Sequence, residues 1–330
     1  MKLLVLCPGK IGKDKKDISC YSDVLNYYLP PSLSKYADCD IKTVSSDRNY
    51  NSWQLEKEIN AINFSGYDVI LVLGLRFFSK VPKHIIPNIR KMFKGLICQT
   101  HDCSRFNNDQ VDITFTTKNE DNKWKNTGWW ENHKKYNHYS GWAADSELNR
   151  PLQDNDELRI LIDHTNYGNN KIDDTKEIIK QVKRLVTSRK WETKFKSIRV
   201  RRFISGGTED VNFNQTGDIE KFDRSKVIPI TEITKEHNKA HIFMVTHPES
   251  VGLVVLETSL AGGFIVSPSG YISRDRLQTV RHYSYKPKSN IDWDMVLKSI
   301  DPRLSRNVAL KNNWDNVAKR IIEKLKKEIT

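Results

Sequence analysis

What the chain lacks narrows it first. Cysteine is scarce and odd in number, 5 in 330 residues, with no close pairing pattern. That argues against a disulfide-stapled scaffold and for reduced thiols in a cytoplasmic protein. Cys98 and Cys103 flank His101, but their spacing is a poor zinc signature. No run approaches the roughly 18–20 apolar residues that cross a bilayer, so no transmembrane segment is expected. The opening MKLLVLC leads straight into a Lys-rich loop and has no small-residue cleavage site, so it reads as a buried first strand and not a signal peptide. Acid is also in short supply: 54 Lys and Arg stand against 41 Asp and Glu, a formal net charge of +13. Such a field favours a polyanionic partner: nucleic acid, an anionic membrane surface touched peripherally, or a phosphorylated substrate. The plainer reading of the same excess is solubility in a Lys- and Asn-rich proteome.

What is present suffices to fold. Hydrophobic residues make up 38% and aromatics 10%, and 330 residues suit two domains better than one core. Apolar runs alternate with helical patterns from the start. Strands are expected at 2–7, 41–45, 67–74, 95–101 and 111–117, with helices near 19–36, 52–62 and 84–94. This rhythm means parallel strands joined by crossover helices, whose doubly covered strands read as continuous apolar runs. From 118 to 142 the rhythm breaks into a polar, aromatic and basic segment. The alternation restarts with strands at 158–164, 198–205, 226–230, 241–247 and 263–268, and helices near 173–187 and 232–239. The last helix, 312–329, repeats Trp314, Val317, Ile321 and Leu325 at helical spacing. The organisation expected is α/β: an N-terminal acceptor-side Rossmann-like domain (1–145), a linker (146–157), a second Rossmann-like domain that binds the donor (158–311), and a C-terminal helix (312–330) packing back on the first domain. No internal repeat is found beyond this doubling.

The most specific stretch is HPESVGLVVLETSLAGGFIV, His247 to Val266. It follows a strand, so it lies at the carboxyl edge of the second sheet, where open α/β sheets bind ligands. Ser250, Val251 and Gly252 would open a helix whose free N–H groups suit a phosphate or pyrophosphate. Glu249 precedes that helix and Glu257 lies about two turns in. Eight residues of helix advance roughly 12 Å, too far for both acids to share one hydroxyl but apt for the two ends of a long ligand. Carboxylates accepting from sugar hydroxyls suit that geometry.

These residues resemble the Glu-x7-Glu signature of retaining glycosyltransferases of the GT-B fold, a superfamily that includes glycogen and sucrose synthases. The chain keeps Glu249, Gly252, Leu253, Glu257 and Gly262 of that pattern and ends it in a matching strand. The resemblance implies two Rossmann-like domains facing a central crevice and a nucleoside diphosphate sugar, guessed as UDP-glucose, as co-substrate with no other cofactor. It implies that Glu257 binds the ribose hydroxyls and Glu249 the transferred sugar, with Ser250, Val251, Gly252 and Leu253 at the diphosphate. LICQTHDCSRF places His101 and Asp102 after a strand of the first half, where the family has a histidine near the donor sugar and its leaving phosphate. The same run is similar to the Gln-His-Asp segment of bacteriophage DNA α-glucosyltransferases. GWAAD resembles the family's inter-domain hinge and keeps Asp145. CPGKIGK resembles its first loop, with Gly9 and Gly12 letting backbone approach the sugar nucleotide; a plain surface loop reads nearly as well. One departure stands out. The family holds the diphosphate with an Arg and a Lys after the second domain's first strand; here Lys171 is the candidate lysine and no arginine is present, leaving His164, Arg201 or Arg202 as substitutes.

The mechanism that the resemblance implies is front-face displacement, hexosyl transfer with retention, with the protein stabilising the leaving diphosphate and aligning two substrates. Glycosidase-like carboxylates would have to face one bond across about 5–9 Å, closer than Glu249 and Glu257 stand on helical spacing. Three Asp-x-Asp triplets, Asp38–Asp40, Asp154–Asp156 and Asp292–Asp294, read as turns, so no metal is expected. For the acceptor, Trp124, Trp129, Trp130, His133, Lys134 and Lys135 interleave aromatics with cations, which suits stacking on bases and contact with phosphate; the same residues could instead pack a loop onto the domain. A second basic run, Lys183 to Arg202, could contact a phosphate backbone. Three functions remain open: sugar transfer to a hydroxymethylated pyrimidine in phage-type DNA, transfer to a surface glycan at a membrane, or an inactive GT-B-like module that binds nucleic acid. Oligomeric state is not legible.

Overall fold

The computed structural model describes residues 1–8, 21–44, 52–73, 85–101, 111–116, 137–163, 174–204, 206–214, 228, 230–248 and 252–329. The chain divides into two compact units, one of Met1–Trp142 with Trp314–Thr330 and one of Ala143–Asn313.

The first unit is built on β1 (Lys2–Pro8), β2 (Asp38–Val44), β3 (Val69–Val72), β4 (Leu96–His101), β5 (Ile113–Thr116) and β6 (Asn137–Tyr139), with α1 (Tyr21–Leu33), α2 (Ser52–Asn60) and α3 (Ile85–Met92) between them. All of its pairings are parallel and the order is β2-β1-β3-β4-β5-β6. Leu3 to Leu6 and Val69 to Val72 are 0–1% exposed. Both faces of these strands are covered, which is why they read as unbroken apolar runs. On one face Leu4, Leu6, Ile70, Val72 and Ile97 pack with Ile59, Phe64, Ile89 and Phe93. The C-terminal helix, α10 (Trp314–Ile329), buries Trp314, Val317, Ala318, Ile321, Ile322 and Leu325 and lies against α1. Trp314 stacks on Tyr28 and meets Trp142 edge-on, with centroids 5.9 and 4.9 Å apart.

The second unit has β7 (Glu157–Ile162), β8 (Ser197–Ile204), β9 (Gly207–Asp210), β10 (Ile242–Met244), β11 (Phe264–Pro268) and β12 (His282–Tyr285). Its helices are α4 (Thr175–Ser188), α5 (Ile230–Lys239), α6 (Leu253–Leu260), α7 (Arg274–Leu277), α8 (Trp293–Ser299) and α9 (Pro302–Ala309). The order is β12-β11-β10-β7-β8-β9, parallel except for the β8–β9 hairpin. The chain winds outward from β7 through β8 and β9, then returns to the other side of β7 as β10. The switch point of the sheet is therefore at the carboxyl ends of β7 and β10, the place where open α/β sheets take ligands.

The structure differs from the sequence-based expectations at three places. Ile230, read as the end of a strand at 226–230, instead opens α5; residues 226, 227 and 229 lie outside the described set. Asp38 and Asp40, read as a turn, lie within β2, where Asp40 accepts from Tyr67 and pairs with Lys2. Asp292 is the N-cap of α8, accepting from the Met295 amide.

Candidate functional site

The site of the second unit grows from the end of β10. Val245, Thr246 and His247 follow the strand and are all buried. His247 Nδ1 stands 3.8 Å from Asp163 Oδ2, so the residue after β7 and the residue beyond β10 meet across the switch point. Gly252 then caps α6 from the left-handed region, φ +66°. A side chain is strained there, and an added Cβ would also touch Arg276 Cγ at 3.4 Å. Arg276 is itself 4% exposed, which brings a guanidinium beside the helix start.

From Gly252 the chain descends through Leu253 into a helix whose side chains from Val255 to Leu260 are all buried. Glu257 is 5% exposed within it. Burial, and then the Asp145 carboxylate, push its carboxyl up to about 7, so near neutrality it holds its proton about half the time. Beside it, His237 Nδ1 of α5 is 3.7 Å from Glu257 Oε2. The His237 ring is fully buried, held edge-on between Phe203 and Phe243, and burial pushes it down to about 3, so it is neutral.

The strap of residues 145–153 fixes the other side of this pair. Asn238, next to His237, accepts from the Arg150 amide through Oδ1 and donates to Leu148 O at 2.9 Å. Asp145 Oδ1 accepts from the Glu147 and Leu148 amides at 2.7 and 3.1 Å. The carboxyl end of α6 is closed by side chains: Arg306 donates to Leu260 O, Asn149 O and Ser146 O, and Gln153 to Ala261 O and Ala240 O. Gly262 and Gly263 end the segment for steric reasons. Gly262 has φ +94° and a Cβ there would stand 2.9 Å from Pro302 Cβ, while one on Gly263 would stand 2.5 Å from Thr258 Cγ2.

Of the sequence-predicted site residues, Gly252, Leu253 and Glu257 come together on α6. His101 ends β4 opposite Thr116; its side chain lies outside the described residues. Gly9, Gly12, Asp102, Trp124, Trp129, Trp130, His133, Lys134, Lys135, His164, Lys171, Glu249, Ser250 and Val251 lie outside them as well. In the sequence, Gly9 follows β1, Asp102 follows β4, His164 follows Asp163 and Glu249 follows Pro248. Arg201 and Arg202, offered as substitutes at the diphosphate, are engaged elsewhere: Arg201 with Glu236 and Asp210, Arg202 with Glu209. His237, Arg276 and the Asp163–His247 pair were not singled out by sequence. A lone histidine in EHNK and an arginine in SRDRL carry no spacing signal; only the fold brings them to α6. Among the described residues no group of His, Cys, Asp and Glu is placed to hold a metal, and no helix is long and apolar enough to cross a membrane.

No protein-family model matches the chain, and no curated protein matches it. Solved structures do. Trehalose-6-phosphate synthase OtsA is similar over 99% of both chains at 10% identity, TM-score 0.57. The lipopolysaccharide outer core galactosyltransferase WaaB in its apo form is similar over 98% of this chain and 100% of its own at 9% identity, TM-score 0.56. A UDP-GlcNAc 2-epimerase from Neisseria meningitidis bound to UDP-GlcNAc covers 99% of this chain and 100% of its own at 13% identity, TM-score 0.52. The fold is thus the α/β fold of the GT-B glycosyltransferases, two parallel-dominated sheets in one chain. At such identities the likeness is one of fold, and the same fold carries both transferase and epimerase chemistry.

Proposed function

We propose that this chain is a retaining, metal-independent glycosyltransferase that moves a hexosyl group from a nucleoside diphosphate sugar, UDP-glucose first among the candidates, to an acceptor hydroxyl. The observation that carries the reading is the α6 segment: a left-handed glycine opening a helix beyond β10, followed by a buried glutamate with an imidazole and a second carboxylate beside it. In this reading the amides of Ser250 to Leu253 and the Arg276 guanidinium take the diphosphate, Lys171 and His164 are the further candidates for it, and Gly9 and Gly12 are candidates for the sugar nucleotide. Glu257 accepts from the ribose hydroxyls and Glu249 from the sugar. His101 and Asp102 stand by the leaving phosphate. The bond from C1 to the phosphate oxygen breaks, the bond from C1 to the acceptor oxygen forms on the same face, and the acceptor proton passes to the leaving diphosphate.

The acceptor proposed is a hydroxymethylated pyrimidine of phage-type DNA. A net charge of +13 and the aromatic, basic composition of 118–142, with Trp124, Trp129, Trp130, His133, Lys134 and Lys135, support it. A second reading, a surface-glycan or lipid-linked acceptor, is favoured by the whole-length likeness to the lipopolysaccharide galactosyltransferase. A panel of nucleotide sugars against hydroxymethylated DNA, unmodified DNA and a lipid-linked glycan, read by mass spectrometry, separates them. Sugar added only to hydroxymethylated DNA is expected. Sugar on the glycan alone overturns the DNA acceptor, and an isomerised sugar nucleotide without any acceptor overturns the transferase reading.

A further inference from the structure

Every buried polar group needs a partner or a reason, and His237 has neither in the fold itself. Its side chain is 0% exposed, and among the described residues neither Nδ1 nor Nε2 has a hydrogen-bond partner. Leaving a buried donor unsatisfied in this way costs stability. A phenylalanine or leucine would fill the space between Phe203 and Phe243 without that cost. What a hydrocarbon could not do is face Glu257. Nδ1 is 3.7 Å from Oε2, roughly half an ångström beyond a hydrogen bond, so a small rotation of either side chain closes it.

We infer that His237 is a positioning residue that fixes the Glu257 carboxylate for the vicinal hydroxyls of the donor ribose. The inference rests on the ribose role proposed above for Glu257. A carboxylate grips two adjacent hydroxyls only when its plane is held, because each oxygen must meet one of them. Among the described residues, burial and another carboxylate shift Glu257, and neither a lysine nor an arginine does. A neutral imidazole supplies the missing constraint: one N–H toward Oε2 and no charge to compete with the ligand. The edge-on phenylalanines set the ring plane, and Asn238, tied to the strap, sets the turn of helix that carries it.

The test is a thermodynamic cycle between residue and ligand, measured by calorimetry on the full chain. Wild type is titrated with uridine, guanosine, adenosine and cytidine diphosphates, and the best binder is compared with its 2′-deoxy form in wild type, His237→Phe and His237→Asn. His237→Phe is expected to weaken the ribose form about tenfold, the worth of one hydrogen bond to a charged group, and to leave the deoxy form unchanged. His237→Asn, which places an N–H near the position of Nδ1, is expected to restore most of the difference. Equal weakening of both forms by His237→Phe makes the residue merely structural and overturns the inference. No preference for ribose in wild type overturns the role of Glu257, and no binding of any diphosphate overturns the proposed function itself. Should His237→Phe not fold, imidazole nitrogen shifts in wild type decide: a His237 shift on adding the ribose form but not the deoxy form supports the inference, and identical shifts overturn it.

Discussion

Glu257 carries a cost that the surrounding fold does not offset. Among the described residues its neighbours are the neutral His237 of α5 and the Asp145 of the strap, neither of which compensates the ionised form. A carboxyl held at about 7 in the fold against 4.5 in the open chain makes ionisation cost on the order of 3 kcal/mol. Because the folded value is raised, the contribution to stability is fully present below about pH 4.5 and is lost as pH rises through about 7. His237 has the opposite sign: its lowered value means stability falls as pH drops from 6.5 toward about 3. Glu257→Gln is therefore expected to match wild type in urea unfolding near pH 4 and to exceed it by about 3 kcal/mol at pH 8.5. Stability curves that run parallel over that range would refute the assignment. The same variant is expected to lose nucleoside diphosphate affinity, so the two readouts move in opposite directions. A second residue-scale outcome concerns Gly262. At φ +94° and with Pro302 Cβ 2.9 Å from an added Cβ, Gly262→Ala is expected to destabilise by at least about 2 kcal/mol, measured in the same assay.

At the scale of elements, the second unit depends on how α6 is closed. Arg306 reaches from α9 to three carbonyls at once, Leu260 O at the end of α6 and Asn149 O and Ser146 O of the strap, at 2.6, 2.6 and 2.9 Å. A planar fork satisfies that geometry and an ammonium does not. Arg306→Ala is expected to cost about 2–4 kcal/mol in the thermal unfolding of the chain, and Arg306→Lys to recover less than half. Full recovery by lysine would reduce Arg306 to a simple charge at the helix terminus. The elements also show which local signals a sequence transmits. Buried parallel strands such as β1 and β3 are doubly covered, so they announce themselves as apolar runs. β6, β9 and β12, with sequences NHY, GTED and HYSY, do not: they are short edge strands whose pairing is imposed by a neighbour. The starts of α8 and α9 were readable in principle, since Asp292 and Asp301 cap them and Pro302 sits at the first position. The Asp-x-Asp spacing of Asp292 and Asp294 suggests a turn, and masks the capping aspartate at 292.

At the scale of the molecule, the doubled α/β rhythm was legible because period and burial report on the same physical event. The candidate site is legible only where its residues are neighbours in sequence. Gly252, Leu253 and Glu257 are; His237, Asp145 and Arg276 meet them only through the winding of the second sheet. Charge shows the same division most clearly. Read as a string, Lys183 to Arg202 is a basic run that could grip a phosphate backbone. In the fold Lys190 pairs with Asp294, Lys196 with Asp156, Arg199 and Arg201 with Asp210, and Arg202 with Glu209, while Lys194 donates to Leu297 O and Ile300 O. Cations already paired within the unit release few counterions when a polyanion arrives, so they add little to binding. If DNA is the acceptor, its phosphates must be met by other residues, and Lys134 and Lys135 are the pair proposed for it. The expected result is a split in salt dependence. Replacing Lys134 and Lys135 by alanine lowers duplex affinity and reduces the slope of log affinity against log salt by up to about two, roughly 0.9 for each phosphate no longer neutralised. Replacing Lys190 and Lys196 by alanine leaves that slope unchanged, although it breaks two exposed ion pairs, with Asp294 and Asp156. Fluorescence anisotropy of a labelled duplex between 50 and 200 mM salt, roughly the range over which such slopes are resolved, measures both. A slope that falls with Lys190 and Lys196 but not with Lys134 and Lys135 would move the nucleic-acid face to the second unit.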